Sequence, residues 1–247
     1  MRFTLATLWI LVAGAITAGV YWTFLITPES TVWMLIASAL LAVAALLMAG
    51  LTATGAIALV SSGPSIATLR RALRAIGSAI PAAVIVLIMW WMTTRVEAWL
   101  TLRNGQINAW FIAQFGWADV SWLFTAIRYV ALWFRWVVAA LLALSLVAGV
   151  VAIGWPAIGQ FAWLRRALRP RALLVSTIGL VVLIALPWTY LVPWRPKQLP
   201  ATSVELAFIV AKLSLSAILF AIGAALICYE ASRASHPPKD ASAAAVA

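Results

Sequence analysis

The chain has 247 residues, of which 66% are hydrophobic and only 9% are charged, and its formal net charge is +11 at pH 7. Soluble domains have about 45–50% apolar and about 25% charged residues, so this composition excludes a soluble globular protein. Several apolar runs are longer than the roughly 18–20 residues that cross a bilayer as a helix, which predicts an all-α polytopic membrane protein.

Six transmembrane helices are predicted, at residues 3–27, 32–61, 76–100, 123–154, 172–194 and 204–229. Short breaks rich in Pro, Gly, Ser or Arg separate them. The first span is predicted to stay in the mature protein, because its apolar run exceeds the core of a signal peptide, which is the alternative. The spans form one transmembrane domain over residues 1–232, and the Ala-, Ser- and Pro-rich residues 233–247 predict a disordered cytoplasmic tail.

The distribution of basic residues predicts the orientation. If the N-terminus is cytoplasmic, the inner segments hold ten basic and two acidic residues, a net charge of +8, and the outer half holds seven basic and four acidic residues, a net charge of +3. An excess of Lys and Arg in cytoplasmic loops is the usual orientation signal of helical membrane proteins. Both termini are therefore predicted to be cytoplasmic, and the charge is attributed to topology, with no nucleic-acid partner.

The hexapeptide LRRALR occurs twice, at residues 69–74 and 164–169, and both copies fall in predicted cytoplasmic loops. Helical periodicity separates the Leu face from the Arg face, which predicts short interfacial helices at residues 64–75 and 157–169. Their arginines are the predicted contacts to anionic lipid headgroups or a protein partner: Arg70, Arg71, Arg74, Arg165, Arg166 and Arg169. The flanking sequence matches poorly between the copies, which favours convergence over an internal duplication.

The predicted outer half is rich in tryptophan: ten of the fifteen Trp residues lie in the outer parts of the third to fifth spans and in the segment between the third and fourth. Residues 107–119 (INAWFIAQFGWAD) predict an amphipathic helix on the outer surface, after a turn at residues 103–106. Tryptophans at this level are typical of an aromatic belt at the membrane interface. The alternative is an outer groove, lined by aromatic rings, that binds a lipid or a partner helix.

Charged residues near the ends of the spans predict a layer of charged side chains at the outer membrane interface. Arg135 precedes Gly154 by nineteen residues, or about 28 Å of helix, which nearly equals the hydrocarbon thickness. Arg135 is therefore predicted at the outer interface, with Arg128 on the same helix face; as a simple anchor, Arg135 would tolerate replacement by Gln. Lys212 reaches the same level, and Glu205 shares its face. The predicted outer lipid or partner site comprises Arg128, Arg135, Glu205, Lys212, Glu97, Trp133 and Trp136.

Motifs for catalysis, cofactors and metals are absent from the sequence. The chain has one His, His236 in the predicted tail, and one Cys, Cys228 in the last span, so paired-His haem ligation, His-rich metal sites and an internal disulfide are excluded. No Gly-rich phosphate loop, nucleophile elbow or metalloprotease helix occurs. Titratable groups are also missing from the predicted midplane, which disfavours a proton-coupled carrier. The sequence therefore predicts no enzyme.

Two functions are compatible with these features. The favoured one is an accessory or structural membrane subunit, or a lipid-contacting protein. The Ala-, Leu- and Arg-rich composition of the chain suggests a bacterial inner membrane. The alternative is the permease-type transmembrane subunit of an ATP-driven exporter or flippase, whose cytoplasmic helices would dock on an ATPase partner. That alternative rests on architecture alone.

Overall fold

A computed structural model of the chain describes residues 1–28, 31–116, 120–194 and 202–233, apart from the side chains of Arg166 and Thr202. Over these ranges the protein is helical and contains no strand. Six of its helical runs are long and apolar enough to cross a membrane, which confirms the predicted class and the six spans. The predicted tail at 233–247 lies outside the described residues beyond Arg233.

The helices follow the chain in a simple order. They are α1 (Arg2–Ile26), α2 (Val32–Ser62), α3 (Ile66–Ala75), α4 (Ala79–Phe115), α5 (Ser121–Trp133), α6 (Ala139–Ile153), α7 (Ala162–Ala167), α8 (Pro170–Leu180) and α9 (Thr202–Arg233). The 3₁₀ turns Ile76–Ser78 and Trp155–Ala157 and the π-helical segments Phe134–Val138, Val181–Ala185 and Pro187–Leu191 connect or extend them.

The first two spans, α1 and α2, form a hairpin that is closed by a tryptophan. The Trp9 Nε1–H donates to the Thr52 carbonyl at 3.1 Å. Its ring lies so close to Gly55 that a Cβ there would be 2.5 Å from the indole atoms. The missing side chain of Gly55 therefore allows the two helices to approach.

The third span is longer than predicted. The expected turn at 103–106 is wrong, because α4 runs without a break for 37 residues, to Phe115. Residues 103–115 include Gly105 but no Pro, and an interior Gly costs only about 1 kcal/mol. The helix ends at Gly116, whose φ of +67° is the left-handed conformation that glycine adopts without strain. Residues 107–115 thus continue α4 and form no separate helix, and 117–119 lie outside the described residues.

The fourth span, from α5 through the π segment Phe134–Val138 to α6, is the centre of the bundle. In its most apolar stretch 72% of the residues are buried, against 17–22% in the other five spans. α6 packs against α2, α4 and α9 through small and branched apolar residues (AALLALSLVAGVVAI). Because the other spans surround it, their outward faces expose large apolar side chains.

The predicted interfacial helix at 157–169 is shorter in the structure. α7 has only six residues, Ala162–Ala167, and follows the 3₁₀ turn Trp155–Ala157. Phe161, at a positive φ of 47°, interrupts the helix before α7. Pro170 ends the loop and is the first residue of α8, a position where proline is favoured.

The fifth span bends into π-helical turns around Pro187 before it reaches its outer end. Proline has no N–H to donate, and its ring clashes with the carbonyl of the preceding turn, so the wider π turn relieves both problems. Against α9 the packing is close: a Cβ at Gly223 would lie 3.2 Å from the Gly179 carbonyl oxygen and 3.0 Å from Ile184 Cγ1. Small residues therefore set the contact between the fifth and sixth spans.

Candidate functional site

The end of the bundle that the charge distribution predicts to be outer carries an organised ion pair. Arg135 Nη2 donates to Glu97 Oε2 at 2.8 Å, with 11% and 29% of the two side chains exposed. Arg135 also donates to the hydroxyls of Thr93 and Thr94, at 3.1 and 3.3 Å, and its guanidinium stacks over the Trp90 ring at 4.5 Å. Arg135 is therefore a partner in a cross-span network, and the prediction of a tolerant anchor gives way to an expected loss of stability on its removal.

Side chains in and next to the π segment Phe134–Val138 contact different neighbouring spans. Trp133 Nε1–H donates to the Thr177 hydroxyl of the fifth span at 2.8 Å. Trp136 meets Trp90 of the third span edge-on, with ring centroids 5.7 Å apart. Single π turns are frequent at functional sites, because the extra residue re-aims the side chains around it.

Lys212 is buried and binds carbonyl groups at the C-terminal end of the fifth span. Its ammonium donates to the carbonyl oxygens of Val192 at 2.6 Å and Trp194 at 3.1 Å. The last carbonyls of a helix lack intrahelical partners, and a cation there satisfies them and the negative end of the helix dipole. Glu205, by contrast, is exposed, and no ion pair joins it to Lys212 among the described residues. The structure does not bring these two predicted site residues together.

Arg128 borders a cleft between α4 and α5 whose lining is about half polar and half apolar. The cleft has a volume of about 430 Å³, and its lining includes Glu97, Thr101, Asn104, Thr125 and Arg128. Arg128 is exposed and has no ion pair within the described part of the chain. Arg128 thus lines the same cavity as Glu97, but among the described residues only Arg135 forms an ion pair with Glu97.

At the predicted inner end, arginines of α3 line a second cleft. Its volume is about 490 Å³, and its lining includes Arg71, Arg74, Gly154 and Trp155. Arg71 Nη1 also donates to the Ser62 hydroxyl at 3.0 Å. α3 begins at the capping residue Ser65, whose hydroxyl accepts the Thr68 N–H at 3.0 Å.

Different faces of α3 meet different surroundings. Thr68, Ala72 and Ala75 are buried against the bundle. The predicted interfacial residues Ile66, Leu69 and Leu73 are exposed, at 84%, 49% and 50%. Their apolar surface is therefore available to lipid, although a position in the membrane interface stays a prediction.

The other predicted inner contacts lie on α3, in the case of Arg70, and in and around α7. Arg70, Arg165 and Arg169 are exposed, and the side chain of Arg166 lies outside the described residues. The sequence did not single out Arg171, which approaches the buried carboxylate of Glu230 at 3.9 Å. The sequence contains one hint of this pair. Only two carboxylates, Glu230 and Asp240, are assigned to the predicted inner side, where ten basic residues could bind them.

No arrangement for metal or redox chemistry is present among the described residues. They contain no cluster of three or more His, Cys, Asp or Glu side chains. Cys228 is free and buried at the inner end of α9, and His236 lies outside the described part of the chain. The candidate functional features are thus the clefts lined by Arg128 and by Arg71 and Arg74, together with the ion-pair network.

Comparison with known proteins adds no family to these features. No protein-family model, curated protein or solved structure shows a significant match to this chain. The function must therefore be argued from its own residues.

Proposed function

We propose that the protein is a non-catalytic multi-pass membrane protein that binds anionic lipid headgroups through the arginines at its inner end. The single observation that supports this proposal is the cleft lined by Arg71 and Arg74. In the proposed topology both termini are cytoplasmic, and the membrane is a bacterial inner membrane.

The chemistry of the cleft suits a phosphate. Guanidinium groups donate several hydrogen bonds in a planar arrangement that matches phosphate oxygens. The bond to Ser62 orders Arg71, so less conformational entropy is lost when a ligand binds. Trp155 provides an aromatic wall on the same cleft, and amphipathic Trp side chains suit the boundary between headgroups and acyl chains.

The exposed apolar residues of α3 supply the second half of the argument. An interfacial helix binds a membrane through buried apolar area together with attraction between basic residues and anionic lipids. Leu69 and Leu73 are about half exposed, next to Arg70, Arg71 and Arg74 on the same short helix. Each basic residue near such a surface contributes about 1 kcal/mol.

The test is a titration of the purified full-length chain, in an uncharged detergent, with short-chain phosphatidylglycerol and phosphatidylcholine. Replacing Arg71 and Arg74 with Gln removes two charges, or about 2 kcal/mol, which corresponds to about 30-fold weaker binding of the anionic lipid. The matched control replaces Arg95 and Arg103, which are exposed at the outer end, and is expected to leave the affinity unchanged.

Two results would overturn the proposal. One is equal affinity of the Arg71/Arg74 variant and the unaltered chain for phosphatidylglycerol. The other is an ATPase that co-purifies with the protein and is lost when these arginines become Glu. The second result would instead support a permease-type subunit of an ATP-driven exporter or flippase.

A further inference from the structure

The cleft that Arg128 borders has opposite charges in its lining, Glu97 and Arg128. Among the described residues these two form no ion pair with each other. Glu97, Thr101 and Asn104 lie on one face of α4, at spacings of four and three residues. Arg128 and Thr125 of α5 line the same cavity of about 430 Å³. A cavity with both a cation and a carboxylate in its lining is unusual for a surface that only contacts acyl chains.

Glu97 has one carboxylate oxygen engaged and one available. Oε2 accepts the hydrogen bond from Arg135, and within the described part of the chain no bond to Oε1 is found. The Arg135 bond fixes the carboxylate and balances its charge. Arg128 therefore leaves the cleft with one positive charge in excess, together with an oxygen that can still accept a hydrogen bond.

In the predicted topology, the length of α4 places the cleft at the level of the outer headgroups. Counted from Ala79, where α4 begins, Glu97 is 18 residues along the helix and Asn104 is 25, or about 27 and 38 Å at about 1.5 Å per residue. The hydrocarbon core is about 30 Å thick, and the headgroup regions bring the bilayer to about 40–45 Å. A headgroup of the outer leaflet therefore reaches the cleft without leaving the membrane.

We propose that this cleft binds a headgroup that carries a phosphate and a primary ammonium, as in phosphoethanolamine. The phosphate contacts the Arg128 guanidinium, and the ammonium donates to Glu97 Oε1. Thr101 and Asn104 add neutral hydrogen-bonding groups on the same wall. A quaternary ammonium cannot donate to Glu97, and a headgroup without an amine leaves Oε1 unbonded, so both are bound more weakly.

The experiment compares short-chain phosphatidylethanolamine, phosphatidylglycerol and phosphatidylcholine with identical acyl chains, together with free phosphoethanolamine, by titration of the full-length protein in an uncharged detergent. We expect phosphatidylethanolamine to bind about 10-fold more tightly than phosphatidylcholine. Free phosphoethanolamine with the same affinity as the lipid would identify a soluble ligand of the same chemistry, and much weaker binding would identify the lipid.

Two variants separate the two charges. Arg128→Gln is expected to weaken binding of all the phosphate ligands about 10-fold, because it removes a charged donor. Glu97→Gln is expected to abolish the preference for the amine and to retain binding of phosphatidylglycerol. The matched control is Arg103→Gln. Arg103 is exposed, as Arg128 is, but it lies on α4 and its guanidinium stacks on the Trp99 ring, 5.1 Å from the ring centroid.

Equal binding of the three lipids by the unaltered chain would overturn this proposal, as would an Arg128→Gln variant with unchanged affinity. The Arg128→Gln test stands even if Glu97→Gln fails to fold. Arg128→Gln itself should fold normally, because Arg128 has no ion pair among the described residues. The Arg71/Arg74 variant at the opposite end of the bundle should keep the preference for the amine. Failure of the inner site and failure of this site are therefore distinguishable.

Discussion

Replacement of Arg135 by Gln is the most direct test of the outer ion-pair network. The substitution removes the 2.8 Å bond to Glu97 Oε2 and the guanidinium that stacks on Trp90. It also removes donors to Thr93 and Thr94. Glu97 would keep its charge in a site where only 29% of its side chain is exposed.

The magnitude follows from these contacts. A hydrogen bond to a charged group contributes about 1.5–3 kcal/mol, and loss of one partner of a fully buried ion pair costs about 3–5 kcal/mol. Because Glu97 is partly exposed, we expect Arg135→Gln to lower the free energy of unfolding by about 2–4 kcal/mol. Arg128→Gln is the matched control on the same span, and a change within about 0.5 kcal/mol is expected there.

The assay is reversible unfolding in mixed micelles, followed by far-ultraviolet circular dichroism so that quenching of Trp90 does not confuse the readout. A double-mutant cycle with Glu97→Gln isolates the pair, and we expect a coupling energy of about 1–3 kcal/mol. If the two single changes are additive, or if Arg135→Gln is as stable as the control, the network does not stabilise the fold and Arg135 is only an interfacial anchor.

Two further predictions concern packing and the end of the fifth span. Gly223→Val should lower the free energy of unfolding by about 1–3 kcal/mol, because the valine side chain would collide with the Gly179 carbonyl and Ile184. The control is Gly14→Val, at a site with no atom within 4 Å of the added Cβ, and this variant should unfold like the unaltered chain. Lys212→Met should leave the carbonyls of Val192 and Trp194 without their donor. Amide hydrogen exchange at residues 186–194 should therefore be faster in the variant, while exchange in α1 stays unchanged. Equal exchange in the variant and the unaltered chain would show that Lys212 does not stabilise the C-terminal end of the fifth span.

Part of the candidate site was predictable from residue spacing. Seven residues separate Arg128 from Arg135, which is close to two helical turns and predicts that both lie on one helix face. In the structure Arg135 is bonded to Glu97, and Arg128 lines the same cavity as Glu97. The bonding was not predictable, because the spacing assumed a regular α-helix whereas Arg135 lies in the π segment Phe134–Val138. Thr93 and Thr94 carry no sequence signal beyond their place on α4.

The two predicted inner surface helices show the same limit. Leu, Arg and Ala at helical spacing correctly predicted a helix near residues 64–75, and the structure has α3 there. Only the first four residues of the same hexapeptide at 164–169 are helical, since α7 ends at Ala167. Phe161 and Pro170 restrict this helix from both sides. Local composition predicted a helix in both places, but the surrounding backbone decided its length.

The sequence alone determined the class of this protein and its six spans. Apolar runs long enough to cross a bilayer have few stable alternatives to a helix, since every backbone N–H and C=O must be bonded within the segment. Only the tertiary structure decided which span is central, which Arg is bonded to Glu97 and which one is left facing the cleft. Those choices depend on side-chain packing between helices, where one π turn or one glycine changes which side chains meet.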